Sequence, residues 1–144
     1  KGAGRRFEVY GECNGALVVD DYAHHPTELR ATITTAKEMG YKRLIVVHQP
    51  FTYSRTKMLF NDFVDVLKIP DITVLTPIMG SREPNDPTIT SAKLAAQIPG
   101  AVLVDGLKEA ADWVKQNAQP GDLVLTLGCG DIYKAGKMMV ADAQ

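Results

Sequence analysis

The sequence predicts a single α/β domain with a mostly parallel, doubly wound sheet and an antiparallel hairpin at one edge. Two observations support this prediction. Short apolar runs of strand length alternate with segments of helical period, and the first two strand-like runs are separated by only two residues. A length of 144 residues suits one domain with a sizeable core, and the sequence contains no internal repeat or low-complexity linker.

The first elements are predicted from turn and cap residues. The dipeptide Asn14-Gly15 lies between two strand-like runs, 6–13 and 16–22, and is the most typical short signal of a hairpin. A helix is expected to begin at Pro26, because proline is favoured in the first turn of a helix. Gly40 is a suitable residue to end it.

The later elements continue the alternation of strands and helices. The run 43–50 is continuously apolar, as expected for a strand that is buried on both faces. The helix expected over 54–68 carries an apolar stripe of Leu59, Phe63 and Leu67, and a polar loop is expected at 79–88. The remaining predicted strands are 72–78, 101–104 and 122–128, and the remaining predicted helices are 91–98, 107–117 and one that begins near Asp131.

Composition excludes several classes of protein. The chain is 45% hydrophobic and 23% charged, and its net charge of −1 gives no general attraction to nucleic acid or to an anionic membrane. It contains no apolar run of membrane-spanning length, and its first residues do not resemble a signal peptide. Cys13 and Cys129 lack metal-ligand spacing, which predicts free thiols in a reducing cytoplasm. The glycine-rich, basic opening run, which has no initiator methionine, indicates a linker that enters the domain from a longer chain.

Three polar clusters each follow a predicted strand and precede a predicted helix. They are DDYAHHPTE at 20–28, HQPFTYSRT at 48–56 and GCGD at 128–131. In open α/β sheets, ligands bind beyond the carboxyl ends of the strands, where loops and helix N-termini meet. The sequence therefore predicts a ligand site at this edge of the sheet.

A metal site is one interpretation of the first cluster. Asp20, Asp21, His24 and His25 carry carboxylate and imidazole groups, which are suitable metal ligands. Such a site would need further acidic or histidine ligands on neighbouring loops, and the only other histidine is His48.

The same cluster allows two other interpretations. In the first, His25 and Thr27 begin the following helix, and Glu28 stabilises the positive end of that helix. In the second, the carboxylate of Asp21 accepts hydrogen bonds from ribose hydroxyls, as a strand-end acid does in dinucleotide-binding folds.

Arg55 is the candidate residue of the second cluster. It falls in the first turn of the predicted helix 54–68, where the helix dipole disfavours a cation. Its planar guanidinium can bind a carboxylate or a phosphate through two parallel hydrogen bonds. An anionic ligand is therefore one explanation for Arg55, and a solvated surface arginine is the other.

The third cluster is similar to the glycine-rich loop of methyltransferases, but its position excludes that function. Such a loop follows the first strand, and an acidic residue lies about twenty positions later. Only 14 residues follow Gly130. The chain also lacks a GxxxxGK[ST] phosphate loop and a serine or cysteine nucleophile motif. Arg5 and Arg6, beside Gly2 and Gly4, would suit contact with a phosphate.

Taken together, these motifs resemble the C-terminal domain of the Mur ligases of peptidoglycan synthesis. GRRFE, the hairpin, DDYAHHPTE, QPFTYSRT and GCGDI occur in the order and spacing of the type that joins L-alanine to UDP-N-acetylmuramate. The resemblance covers essentially the whole chain; DDYAHHPTE and YSRT are its specific motifs. It implies a Rossmann-like fold and a third domain, beside an N-terminal domain for the UDP-sugar and a central domain with the phosphate loop.

The resemblance also implies roles for the matching residues. Arg6 is the implied catalytic residue and would reach the phosphates of ATP, and Asp21 would bind its ribose. His24 and Arg55 would position L-alanine, the arginine through the carboxylate. Supporting residues would be His25, Tyr53, Gly128 and Gly130. Magnesium ions would be held mainly by the central domain, so no metal site is expected in this chain.

The implied reaction is the formation of an amide bond through an acyl phosphate. The muramoyl carboxylate would be phosphorylated by ATP, and the amine of L-alanine would attack the acyl phosphate. The enzyme would be cytoplasmic, with ATP, L-alanine and UDP-N-acetylmuramate as its partners and no nucleic acid or membrane. This domain would supply orientation and electrostatics, and alone it would be inactive.

One departure from the family pattern concerns the amino-acid site. The family usually has QPHRYSRT, whereas this chain has Phe51 and Thr52 in place of the His-Arg pair. Either His24 and Arg55 carry more of the task, or the pocket is shifted; His48 is expected to point elsewhere in a regular strand. Two alternatives to the alanine ligase are the murein tripeptide ligase and a stand-alone Rossmann-type module that binds a nucleotide or a partner.

Overall fold

The computed structural model of the chain describes residues 6–141. The opening run and Arg5, for which the sequence predicts a linker and a phosphate contact, lie outside the described residues. The strands are β1 Glu8–Cys13, β2 Ala16–Asp21, β3 Arg43–His48, β4 Ile72–Leu75, β5 Val102–Leu103 and β6 Asp122–Leu127. The helices are α1 Pro26–Lys37, α2 Tyr53–Met58, α3 Phe60–Leu67, α4 Ser91–Ala95, α5 Leu107–Asn117 and α6 Tyr133–Ala141.

The strands form one sheet in the order β1-β2-β6-β3-β4-β5. The pair β1–β2 is antiparallel and the other four pairs are parallel. This arrangement confirms the predicted fold class. Because β2, β6, β3 and β4 run in the same direction, their carboxyl ends meet at one edge of the sheet.

The edge hairpin has the turn that its sequence predicts. Asn14 and Gly15 have φ angles of 56° and 84°, the positive values that a two-residue hairpin turn with the correct twist requires. The side-chain amide of Asn14 also donates to the carbonyl groups of Lys115, at 2.7 Å, and Ala118, at 3.1 Å. The turn is thereby attached to the C-terminal end of α5.

Helices cover both faces of the sheet, so the central strand β3 is buried on both sides. Leu44 and Val46 pack in a cluster with apolar residues of α1, α3 and α4. Ile45 and Val47 pack in a second cluster with residues of α5 and α6. The alternation of side chains along a strand thus explains why the run 43–50 is continuously apolar.

The structure corrects the prediction of a single helix over 54–68. The segment forms two helices, α2 and α3, because Leu59 leaves the helical conformation with φ −108° and ψ 26°. In α2 only Thr56 is buried, whereas Phe63 and Leu67 of α3 lie in the core. The break separates a surface helix at the carboxyl edge of the sheet from a core helix. β4, β5 and α4 are also shorter than predicted.

At the opposite edge, Arg43 and Asp122 join the amino ends of β3 and β6. They are direct partners in the strand register. Nε and Nη2 of Arg43 donate to the two carboxylate oxygens of Asp122 at 2.9 and 2.7 Å. The backbone N–H of Gln119 adds a hydrogen bond of 2.8 Å to the same carboxylate, which is 2% exposed.

No helix within residues 6–141 has the length and apolar character needed to cross a membrane.

Candidate functional site

The three polar clusters meet at the carboxyl edge, as the sequence predicts. The backbone N–H of Gly128 donates to the carbonyl of Asp21 at 3.3 Å, and the N–H of Gln49 donates to the carbonyl of Leu127 at 3.2 Å. These bonds connect the segments that follow β2, β6 and β3. The candidate residues of the three clusters therefore belong to one continuous surface.

Asp21 ends β2 and holds two backbone segments. Its Oδ2 accepts from the N–H of Phe7 at 2.8 Å, and its Oδ1 accepts from the N–H of Ala23 at 2.9 Å. The residue is 9% exposed. Phe7 has a φ of 47°, in the left-handed region that non-glycine residues seldom adopt. Asp21 thus anchors the segment that leads from Arg6 into β1.

Arg6 and Asp21, the two residues predicted to bind ATP, line the same hollow. Its volume is about 200 Å³, and its wall is completed by Tyr22 and Ala23 of the loop after β2 and by residues of the first turns of α1. Sites for small molecules usually enclose about 300–1,000 Å³. The hollow has room for a part of a nucleotide, and a carboxylate retains lone pairs beyond the two that Asp21 uses for backbone N–H groups.

Asp20 lies on the other face of β2 from Asp21, because side chains alternate along a strand. It is fully buried, and its Oδ1 accepts from the hydroxyl of Thr126 at 2.6 Å. Among residues 6–141, no group of three or more histidine, cysteine, aspartate or glutamate side chains is arranged to hold a metal ion. The described residues therefore do not fit the metal interpretation of the first cluster.

His25 and Glu28 begin α1, as the helix-start interpretation predicts. Nδ1 of His25 accepts from the N–H of Thr27 at 3.2 Å, and Oε1 of Glu28 accepts from the N–H groups of His24 and His25, both at 3.2 Å. This reciprocal pair is a capping box. Burial raises the pKa of Glu28, but these two N–H groups and the neighbouring imidazoles more than offset it and hold the pKa below its usual value.

His24 faces its own loop. Its Nδ1 lies 3.2 Å from the carbonyl of Tyr22 and 3.4 Å from Oε1 of Glu28. Its ring meets the ring of Tyr22 edge to face, with 5.7 Å between centroids. The imidazole is about a quarter exposed, at 24%. The family resemblance implies that His24 positions the amino acid together with Arg55, but it is His25 that lines the same groove as Arg55.

Arg55 lines an open groove of about 540 Å³ together with His25. We call this the Arg55 groove; its other residues are Thr52, Ser54, Met58, Leu59 and Glu83. Among residues 6–141, the guanidinium of Arg55 takes part in no salt bridge. A cation without an acidic partner in the described part of the chain, on the wall of a groove, is suited to an anionic ligand.

Glu83, which is not among the residues predicted from the sequence, caps the start of α2. Its Oε1 accepts from the N–H groups of Tyr53 at 2.7 Å and Ser54 at 3.0 Å, and its Oε2 accepts from the hydroxyl of Ser54. The Ser54 hydroxyl and these N–H groups hold the pKa of Glu83 below its usual value. Glu83 therefore supplies an anion at this helix start. The sequence argument that an anionic ligand beside Arg55 would offset the helix dipole is thereby corrected, because Glu83 already provides a negative charge at this helix start.

Phe51 and Thr52, the two residues that depart from the family pattern, lie in a strained turn. Thr52 has a φ of 67° and a ψ of 142°, a rare combination for a β-branched residue and worth on the order of 1–3 kcal/mol of strain. Its N–H donates to the carbonyl of Met79 at 2.8 Å, and the N–H of Met79 donates to Pro50 at 2.9 Å. Phe51 pairs with Met79 as an isolated bridge. The loop after β4 thus maintains this turn.

Three of the predicted supporting residues, Gly128, Gly130 and Tyr53, lie where two segments of the chain come very close together. A Cβ atom on Gly130 would lie 2.4 Å from Oε1 of Gln49, and one on Gly128 would lie 3.1 Å from the carbonyl of Gln49. Nε2 of Gln49 donates to Asp131 at 2.8 Å. The glycines thus permit the tight turn that connects β6 to α6. Tyr53 packs its ring against Gly80, where a Cβ would come within 2.5 Å of it.

His48 is fully buried and does not reach the Arg55 groove. Its Nδ1 lies 3.0 Å from the carbonyl of Leu127, so this nitrogen carries the proton. Its ring stacks on Phe63 at 6.1 Å between centroids. Burial lowers the pKa of His48 to about 4, which keeps the imidazole neutral near pH 7. As the sequence predicts, His48 points elsewhere and does not replace the imidazole absent at Phe51.

Comparison with known proteins gives a consistent family. Residues 5–130 match the family described as Mur ligase, glutamate ligase domain. The UDP-N-acetylmuramate–L-alanine ligase of Lachnospira eligens is 45% identical over 141 residues, which cover 95% of this chain and 31% of that protein. The enzyme of the same name from Acetivibrio thermocellus is 42% identical over 147 residues, which cover 99% of this chain and 31% of that protein. The chain spans about a third of the length of these curated relatives.

The fold is also found among solved structures. A crystal structure of UDP-N-acetylmuramate-alanine ligase from Thermotoga maritima matches with a TM-score of 0.77 and 24% identity, over 97% of this chain and 30% of that one. At this identity the likeness shows a shared fold.

Proposed function

The chain belongs to the Mur ligase family, as a C-terminal domain of the UDP-N-acetylmuramate–L-alanine ligase type, and on this premise we propose that it serves an ATP-dependent ligase that joins L-alanine to UDP-N-acetylmuramate in the cytoplasm. The relatives that are 42–45% identical carry this activity in their names, which favours alanine as the amino acid. The observation that carries the proposal is the guanidinium of Arg55, which lines the groove and forms no salt bridge within residues 6–141.

In the proposed reaction, the muramoyl carboxylate takes the γ-phosphoryl group of ATP, and ADP leaves. The neutral amine of L-alanine then attacks the acyl carbon, phosphate leaves, and the amine loses a proton as the amide forms. Arg55 holds the carboxylate of alanine through two hydrogen bonds and so fixes the position of its amine. We assign contact with ATP to Arg6 and Asp21. No step is assigned to magnesium, because the described residues do not form a site for it.

The position of the imidazole in the amino-acid site remains part of the proposal. His25 shares the groove with Arg55, but its Nδ1 is used to cap α1. His24 lies one residue earlier and keeps the role implied by the family pattern only if its ring turns away from Tyr22. Replacing His24 and His25 one at a time by asparagine in the intact enzyme would show which of them affects the Michaelis constant for alanine.

A full-length ligase that contains this domain tests the function directly. Phosphate release should require ATP, UDP-N-acetylmuramate and L-alanine together. Turnover with the murein tripeptide but not with L-alanine would support the murein tripeptide ligase instead. Nucleotide binding without phosphate release from any of these acceptors would support the stand-alone binding module.

We expect the 144-residue chain alone to be inactive. It has a complete core but no GxxxxGK[ST] loop to hold the phosphates of ATP. Phosphate release with ATP, L-alanine and UDP-N-acetylmuramate should stay at background, while circular dichroism and a cooperative thermal transition should show a folded domain. Robust turnover by the chain alone would contradict the assignment as a partner domain.

Asp21→Asn in the intact ligase should raise the Michaelis constant for ATP more than that for alanine. Asparagine replaces one carboxylate oxygen by an NH2 group, which cannot accept from the N–H of Phe7 or Ala23 and is a poorer partner for ribose hydroxyls. The segment that carries Arg6 would also lose an anchor. Steady-state kinetics with each substrate varied in turn would measure the two constants.

The use of 2′,3′-dideoxy-ATP separates the two ways in which Asp21 can affect ATP. If Asp21 contacts the ribose, the wild-type enzyme should prefer ATP over the dideoxy analogue, and Asp21→Asn should lose most of this preference. If Asp21 acts only by anchoring Arg6, both enzymes should show the same preference. An effect confined to alanine would move Asp21 into the amino-acid site.

A further inference from the structure

The loop 79–83 is attached to the first turn of α2 through backbone and side-chain contacts. Met79 exchanges backbone hydrogen bonds with Pro50 and Thr52, at 2.9 and 2.8 Å. The N–H of Glu83 donates to the carbonyl of Gly80 at 3.1 Å, so the loop turns back towards the helix. The loop therefore lies against the start of α2 and brings the Glu83 carboxylate to the first N–H groups of that helix.

The Glu83 carboxylate is directed at the backbone of α2. It accepts from the N–H groups of Tyr53 and Ser54 and from the hydroxyl of Ser54. The first N–H groups of a helix have no partner within the helix, so these bonds satisfy donors that would otherwise face solvent. Among residues 6–141, Glu83 forms no salt bridge, so its charge is used on the helix start rather than in a surface ion pair.

Arg55 is the next residue after the two that Glu83 holds. Its own N–H donates to Oγ1 of Thr52 at 3.3 Å, and Thr52 has the strained backbone described above. A strained residue persists only where its surroundings restrain it. Met79 restrains Thr52 on one side, and Glu83 restrains Tyr53 and Ser54 on the other. The direction in which Arg55 leaves the backbone is therefore set by the loop 79–83.

We propose that Glu83 is a positioning residue of the amino-acid site, which fixes the first turn of α2 and thereby orients the guanidinium of Arg55 towards the groove. The inference rests on the proposed function, because it takes Arg55 as the residue that binds the carboxylate of alanine. Small errors in position matter in such a site, since a shift of about 1 Å can reduce a rate by a factor of about 100. Glu83 itself needs no contact with the substrate.

The test compares variants in a full-length ligase that contains this domain. Glu83→Ala should raise the Michaelis constant for alanine about three- to tenfold and leave that for ATP unchanged within a factor of about two. Glu83→Gln should fall between this variant and the wild type, because an amide oxygen still accepts from the N–H groups of Tyr53 and Ser54.

Asp86→Asn is the matched control. Asp86 lies in the same polar loop and carries the same charge, but its contacts are with Thr88 and Lys57 and not with the turn 52–55. This variant should keep both Michaelis constants of the wild type. A second readout is coupling: in the Arg55→Ala background, Glu83→Ala should have little further effect on alanine, because it acts through Arg55.

Two results would overturn the inference by making Glu83 a cap that only supports folding. One is an equal rise of the Michaelis constants for alanine and ATP in Glu83→Ala, and the other is a full effect of Glu83→Ala in the Arg55→Ala background. If the wild-type enzyme does not join L-alanine, the proposed function fails and the inference fails with it. If the wild type joins L-alanine but Glu83→Ala keeps its Michaelis constant for alanine, only the inference fails.

Discussion

Replacing Arg55 by alanine in a full-length ligase that contains this domain should reduce kcat/KM for L-alanine by roughly tenfold to a few hundredfold. A charge-assisted hydrogen bond to a carboxylate contributes on the order of 1.5–3 kcal/mol, and about 1.36 kcal/mol corresponds to one factor of ten. Arg55→Lys should restore only part of the loss, since an ammonium group cannot form two parallel bonds to a carboxylate. Steady-state kinetics with alanine as the varied substrate measure both effects.

The folding of the domain should hardly respond to Arg55→Ala. Arg55 is half-buried, and its guanidinium has no acidic partner among residues 6–141. Lys57→Ala is the matched control: it removes a cation from the same helix, and its ammonium contacts Thr88 and Asp86 rather than the groove. A thermal midpoint several degrees lower for Arg55→Ala, with an unchanged response to alanine, would show that Arg55 is a structural residue.

The fold could be predicted from local signals because those signals agree with the tertiary structure. Asn14-Gly15 specifies the edge hairpin, and the continuous apolar run at 43–50 requires helices on both faces of the sheet. The break at Leu59 was not predictable in this way. The helical period continues through it, and only the different surroundings of α2 and α3 show where one helix ends.

The candidate site could be predicted in position but not in detail. The rule that ligands bind beyond the carboxyl ends of parallel strands places the three clusters together. It does not reveal Glu83, because a loop residue 29 positions after Ser54 leaves no periodic signal of their contact. Nor does it distinguish His24 from His25, since the choice depends on the capping of α1. Such contacts depend on side-chain direction, which the order of residues alone does not specify.

A mutation at the amino ends of β3 and β6 should lower the free energy of unfolding more than a mutation at the candidate site does. Asp122→Asn in this chain should lower the free energy of unfolding by about 3 kcal/mol, the low end for breaking a buried ion pair, because the Arg43 side chain is 33% exposed and can be partly hydrated. At roughly 3–4 °C per kcal/mol for a domain of this size, the thermal midpoint should fall by about 10 °C. Calorimetry or circular dichroism would measure the change.

Asp112→Asn is the control for Asp122→Asn, since it removes the same charge from an exposed pair with Lys108 on α5 and should hardly move the midpoint.

The pH dependence of stability gives an independent check of the Arg43–Asp122 ion pair. The hydrogen bonds from Arg43 hold the pKa of Asp122 below its usual value, so the unfolded state takes up a proton on this residue at a higher pH than the folded state does. The contribution of Asp122 is therefore complete above its unfolded pKa of about 4 and declines as the pH falls through the lower folded pKa. The stability difference between the wild type and Asp122→Asn should thus be constant above about pH 5 and narrow in acid. A difference that instead narrows between pH 6 and 9 would mean that the ion pair is not what stabilises this edge.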